Sequence, residues 1–329
     1  MEYHKPVDIG YHLQYPRALI DTQYQLGEAL VPVAKGAAGC VAAWAAASLC
    51  LASAALVISP SAMAQETPYF VTYSHHLEEP GNLEIDLSTN YATQKGGNDF
   101  IAPWIEFEYG VKAWWTSEFY LDSQSTFRDS AVFTGFRWEN RFRPLMREHW
   151  VNPVLYVEFE NTTEADKTLK EVVGFDSQFD AADPNFEANA SHAHEIETKL
   201  ILSSDHKGWN FSENFIAEKN LGHEPWEFGY AVGASRPLRL AATPQPCNFC
   251  RENVILGAEM YGGLGTVKAF TLSGTSHYLA PLVAWQLPNG VRLSLSPGFG
   301  LNDNSHRFLL RWGISYEIGN FFGKLRSAL

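Results

Sequence analysis

Four pairs of carboxylates stand two residues apart within period-two stretches of this chain: Glu84 and Asp86, Glu106 and Glu108, Glu158 and Glu160, and Glu195 and Glu197. A spacing of two places both members on one face of an extended strand. With Glu118, Glu227, Glu259 and Glu317 they form a set that, lining a water-filled lumen, would favour cations and neutral solutes. Arg137, Arg141, Arg292 and Arg311 fall on the same faces and could instead pair with the acids across a filled interior, leaving acids in surplus. Both readings stay open on sequence alone.

Other chemistry-bearing groups are sparser. Cys247-Asn248-Phe249-Cys250 could be a redox pair or half of a metal site. A structural zinc site needs four ligands, and no second CxxC or HxxxH accompanies it, so a short disulfide pinning a long turn is the expectation. His192 and His194 share one face beside Glu195 and Glu197. Two imidazoles without a fixed third ligand make a weak metal site, and His75-His76 is a weaker candidate still. No metal or other cofactor is therefore expected. Ser276-His277 and Ser305-His306 suggest a hydrolase only by adjacency, which is not geometry. Gly262-Gly263-Leu264-Gly265 lacks the strand-to-helix setting of a phosphate loop.

The elements that must position these groups begin after residue 64. An apolar run, Gly36 to Ile58, follows Lys35 and ends in Ser61-Ala62-Met63-Ala64, the A-x-A pattern of a secretory cleavage site. Residues 1–64 thus read as a signal peptide with a long N-terminal extension, cut after Ala64. An uncleaved anchor is the alternative, since 23 residues can cross a bilayer. Removing Glu2, Asp8, Asp21, Glu28, Lys5, Arg17 and Lys35 leaves a net charge of −12 against −13 for the whole chain, which argues against a general nucleic-acid binder.

Beyond Gly81 the pattern has period two. Leu83, Ile85, Leu87, Thr89 and Tyr91 alternate with Glu84, Asp86, Ser88 and Asn90, and Phe308, Leu310, Trp312, Ile314 and Tyr316 alternate with Arg311, Gly313, Ser315 and Glu317. Twelve such strands are expected, over 82–92, 100–110, 113–122, 130–142, 153–161, 194–203, 207–218, 226–235, 252–261, 276–286, 291–300 and 306–318. A helix is expected only over Asp166–Val173, inside a loop. The fold class is all-β: an antiparallel transmembrane β-barrel of about 12 strands over 81–318, with 65–80 a periplasmic N-terminal segment and 319–329 a C-terminal extension.

Three features favour a membrane barrel over a soluble one. The polar faces mix acids with arginines, as a hydrated lumen would. Aromatics crowd the expected strand ends (Trp104, Tyr109, Trp114, Trp115, Trp209, Trp226, Trp285, Trp312), as interfacial girdles do. And the exported part of the chain holds only two cysteines. With the termini in the periplasm, short turns such as Leu287–Gly290 fall there and the 32-residue loop Thr162–Ala193 falls outside. A loop that long could fold into the mouth as a constriction or float as a lid.

Leu83-Glu84-Ile85-Asp86-Leu87, Glu106-Phe107-Glu108-Tyr109-Gly110-Val111, Pro281-Leu282-Val283-Ala284-Trp285, Ser296 to Asp303 and Trp312 to Ile318 together resemble bacterial outer-membrane barrels of the MetA-pathway of phenol degradation type, which are transporter-like. The resemblance implies a porin-like channel or transporter of the bacterial outer membrane for small, aromatic or hydrophobic, solutes, and brings no catalytic residues. Its partners would be outer-membrane lipid, the barrel-assembly machinery and the solute, without nucleic acid. A non-conducting structural or binding barrel and an outer-membrane lipid hydrolase are the alternatives. Gly319 to Leu329 continue past the last strand, where such barrels often end on an aromatic; Phe321 or Phe322 would take that part.

Overall fold

A computed structural model describes residues 68–169, 172–222, 224–241 and 247–328. The expected signal peptide, 1–64, lies outside the described residues.

The strands are β1 (Leu83–Ala92), β2 (Phe100–Lys112), β3 (Trp115–Thr126), β4 (Ala131–Phe142), β5 (Asn152–Thr163), β6 (His192–His206), β7 (Trp209–Asn220), β8 (Glu227–Pro237), β9 (Val254–Thr266), β10 (Ala269–Phe270), β11 (His277–Gln286), β12 (Val291–Gly300) and β13 (Phe308–Ile318). Neighbours pair antiparallel, and β9 pairs on its two sides with β8 and β11. The sheet closes where β13 meets β1, from Leu83 opposite Ile318 to Ala92 opposite Leu309. Two-residue β10 only extends a hairpin on β9, so twelve strands make a closed antiparallel barrel. Closure satisfies every strand edge, the condition for a sheet in lipid.

Each of the twelve expected strands forms, several running farther than their side-chain period. β6 extends to His192 and His206, and β9 runs through Gly262-Gly263-Leu264-Gly265 to Thr266. Glycines carry no polarity to alternate, yet these pair with Tyr230, Gly229 and Phe228 of β8. Lys207 and Gly208, both at positive φ (51° and 82°), make the two-residue turn between β6 and β7. Such a turn matches the strand twist.

Burial alternates with the polarity of a membrane barrel, not that of a soluble one. On β3, Thr116, Glu118, Tyr120, Asp122 and Gln124 are buried while Phe119 is exposed. On β7, Asn210, Ser212 and Asn214 are buried between exposed Trp209, Phe211 and Phe215. Leu155 is 53% exposed and Glu158 wholly buried on the same strand. Apolar outside and charged inside is the arrangement a hydrocarbon surround selects.

Aromatics gather at both barrel ends. Trp114, Trp115 and Phe142 stack near the end that carries the termini, and Phe228 meets Phe270 at the other. Trp104 does not belong to a girdle: it sits mid-strand on the face of β2 shared with Glu106 and Glu108, and is 2% exposed inside the barrel. Trp312 also sits mid-strand.

The helix expected at Asp166–Val173 is absent from the described part of that stretch; Asp166 to Leu169 are irregular. Here the backbone finds partners other than its own turns: the carbonyls of Thr168 and Leu169 accept from Asn90 and Arg311. The loop's helix is instead the single turn α1 (Asn185–Ala188). At the C-terminus, α2 (Phe321–Ala328) sits at the rim, with Phe322 against Tyr109 and the Phe321 N–H donating to the Gly81 carbonyl.

Candidate functional site: a lumen filled from both ends

Two segments that belong to no barrel strand occupy the interior. The first is the chain ahead of β1. Residues 65–80 were expected to lie on the periplasmic side; from Tyr69 onward the chain packs within the barrel, with Val71, Ser74 and His75 at most 1% exposed. The Glu259 carboxylate accepts hydrogen bonds from the backbone N–H groups of Phe70, Val71 and Thr72 (3.0, 2.8 and 2.7 Å). Asn214 reads Tyr73 twice, accepting from its N–H at 2.6 Å and donating to its carbonyl at 2.9 Å. The Tyr73 hydroxyl donates to Glu139 at 2.9 Å, and Arg141 and Lys199 lie over its ring. Such charge-assisted contacts replace the strand pairing the segment lacks.

The second segment is the loop between β5 and β6, which enters from the opposite end. The Gly174 N–H donates to the Phe228 carbonyl and the Gly265 N–H to the Gly174 carbonyl. Two wall glycines leave room: a Cβ on Gly229 would sit 2.6 Å from the Val172 carbonyl oxygen, and one on Gly263 would sit 2.4 Å from that of Gly174. Gln178 reaches the Asp303 carbonyl, and the Ser276 hydroxyl donates to that of Asp176. Val71 of the first segment and Val172 of the second belong to one buried apolar cluster with Phe100, Tyr261, Tyr278 and Leu309. The two fillings share one core.

The charged side chains named from the sequence are mostly tied to one another around these segments. Arg137 forks onto Asp122 (2.9 and 3.0 Å), with Glu158 at 3.6 Å. Arg141 gathers Glu108, Glu118 and Glu139. Lys199 meets Glu197 at 2.8 Å and Arg292 meets Glu84 at 3.1 Å. Arg311 donates to the Tyr261 hydroxyl and to the Leu169 carbonyl, thereby holding the loop. Glu195 accepts from Asn220, Glu317 from Asn82, and Asp86 from Ser88. Glu160 and Glu227 are half-buried. A cavity of about 90 Å³ remains beside the first segment, lined by Tyr69, Asp86, Trp104, Glu106, Glu118 and Arg292 among others. That is room for a few waters and below the size of small-molecule pockets.

The other sequence candidates fall elsewhere. Cys247 and Cys250, Cα atoms 5.4 Å apart, are joined by a disulfide in the β8–β9 connection. His192 and His194 are exposed, and neither joins a group of three metal-ligating side chains among the described residues. The two serine hydroxyls are engaged elsewhere: Ser276 on the Asp176 carbonyl, Ser305 on the His277 carbonyl and the Asn302 side-chain oxygen. His277 faces Tyr230 and Thr275, and His306, fully buried, faces the Thr93 carbonyl. Burial, offset only in part by that carbonyl, pushes the His306 imidazole down to about 4.

Sequence reading ranked His75 and His76 lowest, yet the structure gives them a setting the other histidines lack. His75 Nδ1 lies 2.8 Å from Ser203 Oγ and its Nε2 3.0 Å from Glu148. His76 Nε2 lies 2.9 Å from Asp205. The partners stand more than seventy residues away, on the end of β6 and in the β4–β5 turn, so no local spacing could have signalled them.

No family profile and no curated protein matches the chain. Solved structures do. An outer membrane channel from Pseudomonas putida F1 aligns with TM-score 0.48 and 8% identity over 77% of this chain and 100% of its own. The KdgM porin aligns at 0.44 and 6% over 70% and 98%, and LpxR from Salmonella typhimurium at 0.37 and 10% over 71% and 99%. The likeness is one of barrel architecture, which the closed strand ladder establishes independently.

Proposed function

We propose that the protein is an outer-membrane channel for small solutes, held closed by its own N-terminal segment and β5–β6 loop. The observation that carries this reading is that both obstructions are inserts. Neither contributes a strand, so either can leave the lumen without opening the barrel. What they would uncover is a wall of Glu84, Asp86, Glu106, Glu108, Glu118, Glu158, Glu197 and Glu259, tempered by Arg137, Arg141, Arg292 and Arg311. A surplus of acid on that path favours cations and neutral solutes over anions. The resemblance to MetA-pathway barrels supports small aromatic or hydrophobic molecules as the neutral class.

The test is solute flux into proteoliposomes. Purified protein is expected to admit small cations and neutral solutes, and the double variant Glu106→Gln/Glu108→Gln to lose cation preference. Intact, folded barrel with no flux of any small solute would remove the channel reading. A non-conducting structural or binding barrel is the second reading, favoured by the hydrogen bonds that tie both inserts to the wall, and that same outcome would support it.

A further inference from the structure

We propose that His75, His76, Asp205 and Glu148 form a binding site for one divalent transition-metal ion of the zinc class, which clasps the N-terminal segment to the barrel wall. The ion would be held by atoms that already converge. His75 Nε2 lies 3.0 Å from Glu148 Oε2 and 3.8 Å from Asp205 Oδ2, and His76 Nε2 lies 2.9 Å from the same Asp205 oxygen. The two imidazole nitrogens and the Asp205 oxygen all lie within 4.8 Å of one another. Four ligands at zinc bond lengths of about 2.0–2.1 Å stand about 3.3–3.4 Å apart in a tetrahedron. The separations of 3.8 and 2.9 Å bracket that value for His75, His76 and Asp205, and Glu148 stands beside His75 as the fourth ligand to be drawn in.

The surroundings orient these atoms as an outer shell does. Ser203 Oγ sits 2.8 Å from His75 Nδ1, which leaves Nε2 as the nitrogen aimed at the cluster. Asn210 donates to Asp205 Oδ1 at 2.7 Å, leaving Oδ2 for the imidazoles. Arg143 holds Glu148 Oε1, and Asn152 donates to Oε2 at 3.1 Å. Asp205 thus has one oxygen fixed by the protein and the other turned to the imidazoles, while Glu148 is oriented through both of its oxygens. Two imidazoles and carboxylate oxygens are a donor set that zinc-class ions accept.

The position matters as much as the chemistry. His75 is wholly buried, whereas the side chains of His76, Asp205 and Glu148 are 32%, 41% and 59% exposed, so an ion can enter from the mouth that carries the chain termini. Both histidines belong to the inserted segment, Asp205 to wall strand β6 and Glu148 to the β4–β5 turn. Binding would cross-link insert to barrel. This inference does not depend on the barrel conducting.

The experiment uses the full chain in detergent, stripped with a chelator and titrated with Co²⁺ and then Zn²⁺. One ion per chain is expected, with the intense visible absorption of four-coordinate Co²⁺, displaced by Zn²⁺. His76→Ala and Asp205→Asn, two partly exposed positions, are each expected to abolish that signal while keeping the heat-dependent gel shift of a folded barrel. Ser203→Ala should weaken binding about tenfold, and the pair His192→Ala/His194→Ala should leave it unchanged. Zn²⁺ should also slow hydrogen exchange across residues 68–80. No saturable Co²⁺ binding by the parent chain, or binding that survives both His76→Ala and Asp205→Asn, would overturn the site; binding without slowed exchange would overturn the clasp.

Discussion

At the residue scale the interior is organised around a few cations. Arg141 stands among Glu108, Glu118 and Glu139, all buried. Removing one member of a buried charge cluster leaves the rest uncompensated, at about 3–5 kcal/mol. Arg141→Ala is therefore expected to lower the unfolding free energy, read from urea titration of the gel shift, by that order; an unchanged free energy would show that the acids need no cation. His306 sets a pH window. Its imidazole is held at about 4 by burial, against an ordinary value of 6.5, so the unfolded chain binds a proton more readily between those values. Stability is full above about 6.5 and falls as pH drops toward 4, by at most about 1.4 kcal/mol per unit. His306→Gln should flatten that slope in acid-unfolding curves.

At the element scale, twelve strands were legible because a side chain alternating in polarity announces its own period, as in Leu83 to Tyr91. What no period announced was the inserts. Tyr69 to Tyr73 carry no repeat, and the residues that hold them, Glu259 and Asn214, lie 141 or more positions away. The acids were legible as one face of a strand, but whether they faced solute or arginine depended on register between strands, as Arg137 meeting Asp122 on β3 shows. Glycines at the wall were visible only as a break in the pattern. Their use is contact: Gly263 touches the loop backbone at Gly174. Gly263→Val should wedge the loop outward at about 1–3 kcal/mol, read as faster hydrogen exchange at 172–178 with the barrel still folded. Unaltered exchange there would mean the loop is not seated on this wall.

At the scale of the whole molecule, apolar exterior, charged interior and closed sheet describe a body built for a hydrocarbon surround, with its passage filled by chain rather than by wall. On the proposed reading the filling is displaceable. Glu259 holds three backbone N–H groups of the N-terminal segment, bonds of a type worth about 1.5–3 kcal/mol each. Each 1.4 kcal/mol is about a tenfold change in population, so losing all three in Glu259→Ala should raise the open fraction by roughly a thousand-fold or more. Single-channel recording in planar bilayers compares the two directly. The expected record is rare, brief openings for the parent chain and frequent openings of the same conductance for Glu259→Ala. Silence from both proteins, each verified as folded barrel, would contradict the account and leave a barrel whose lumen is permanently closed.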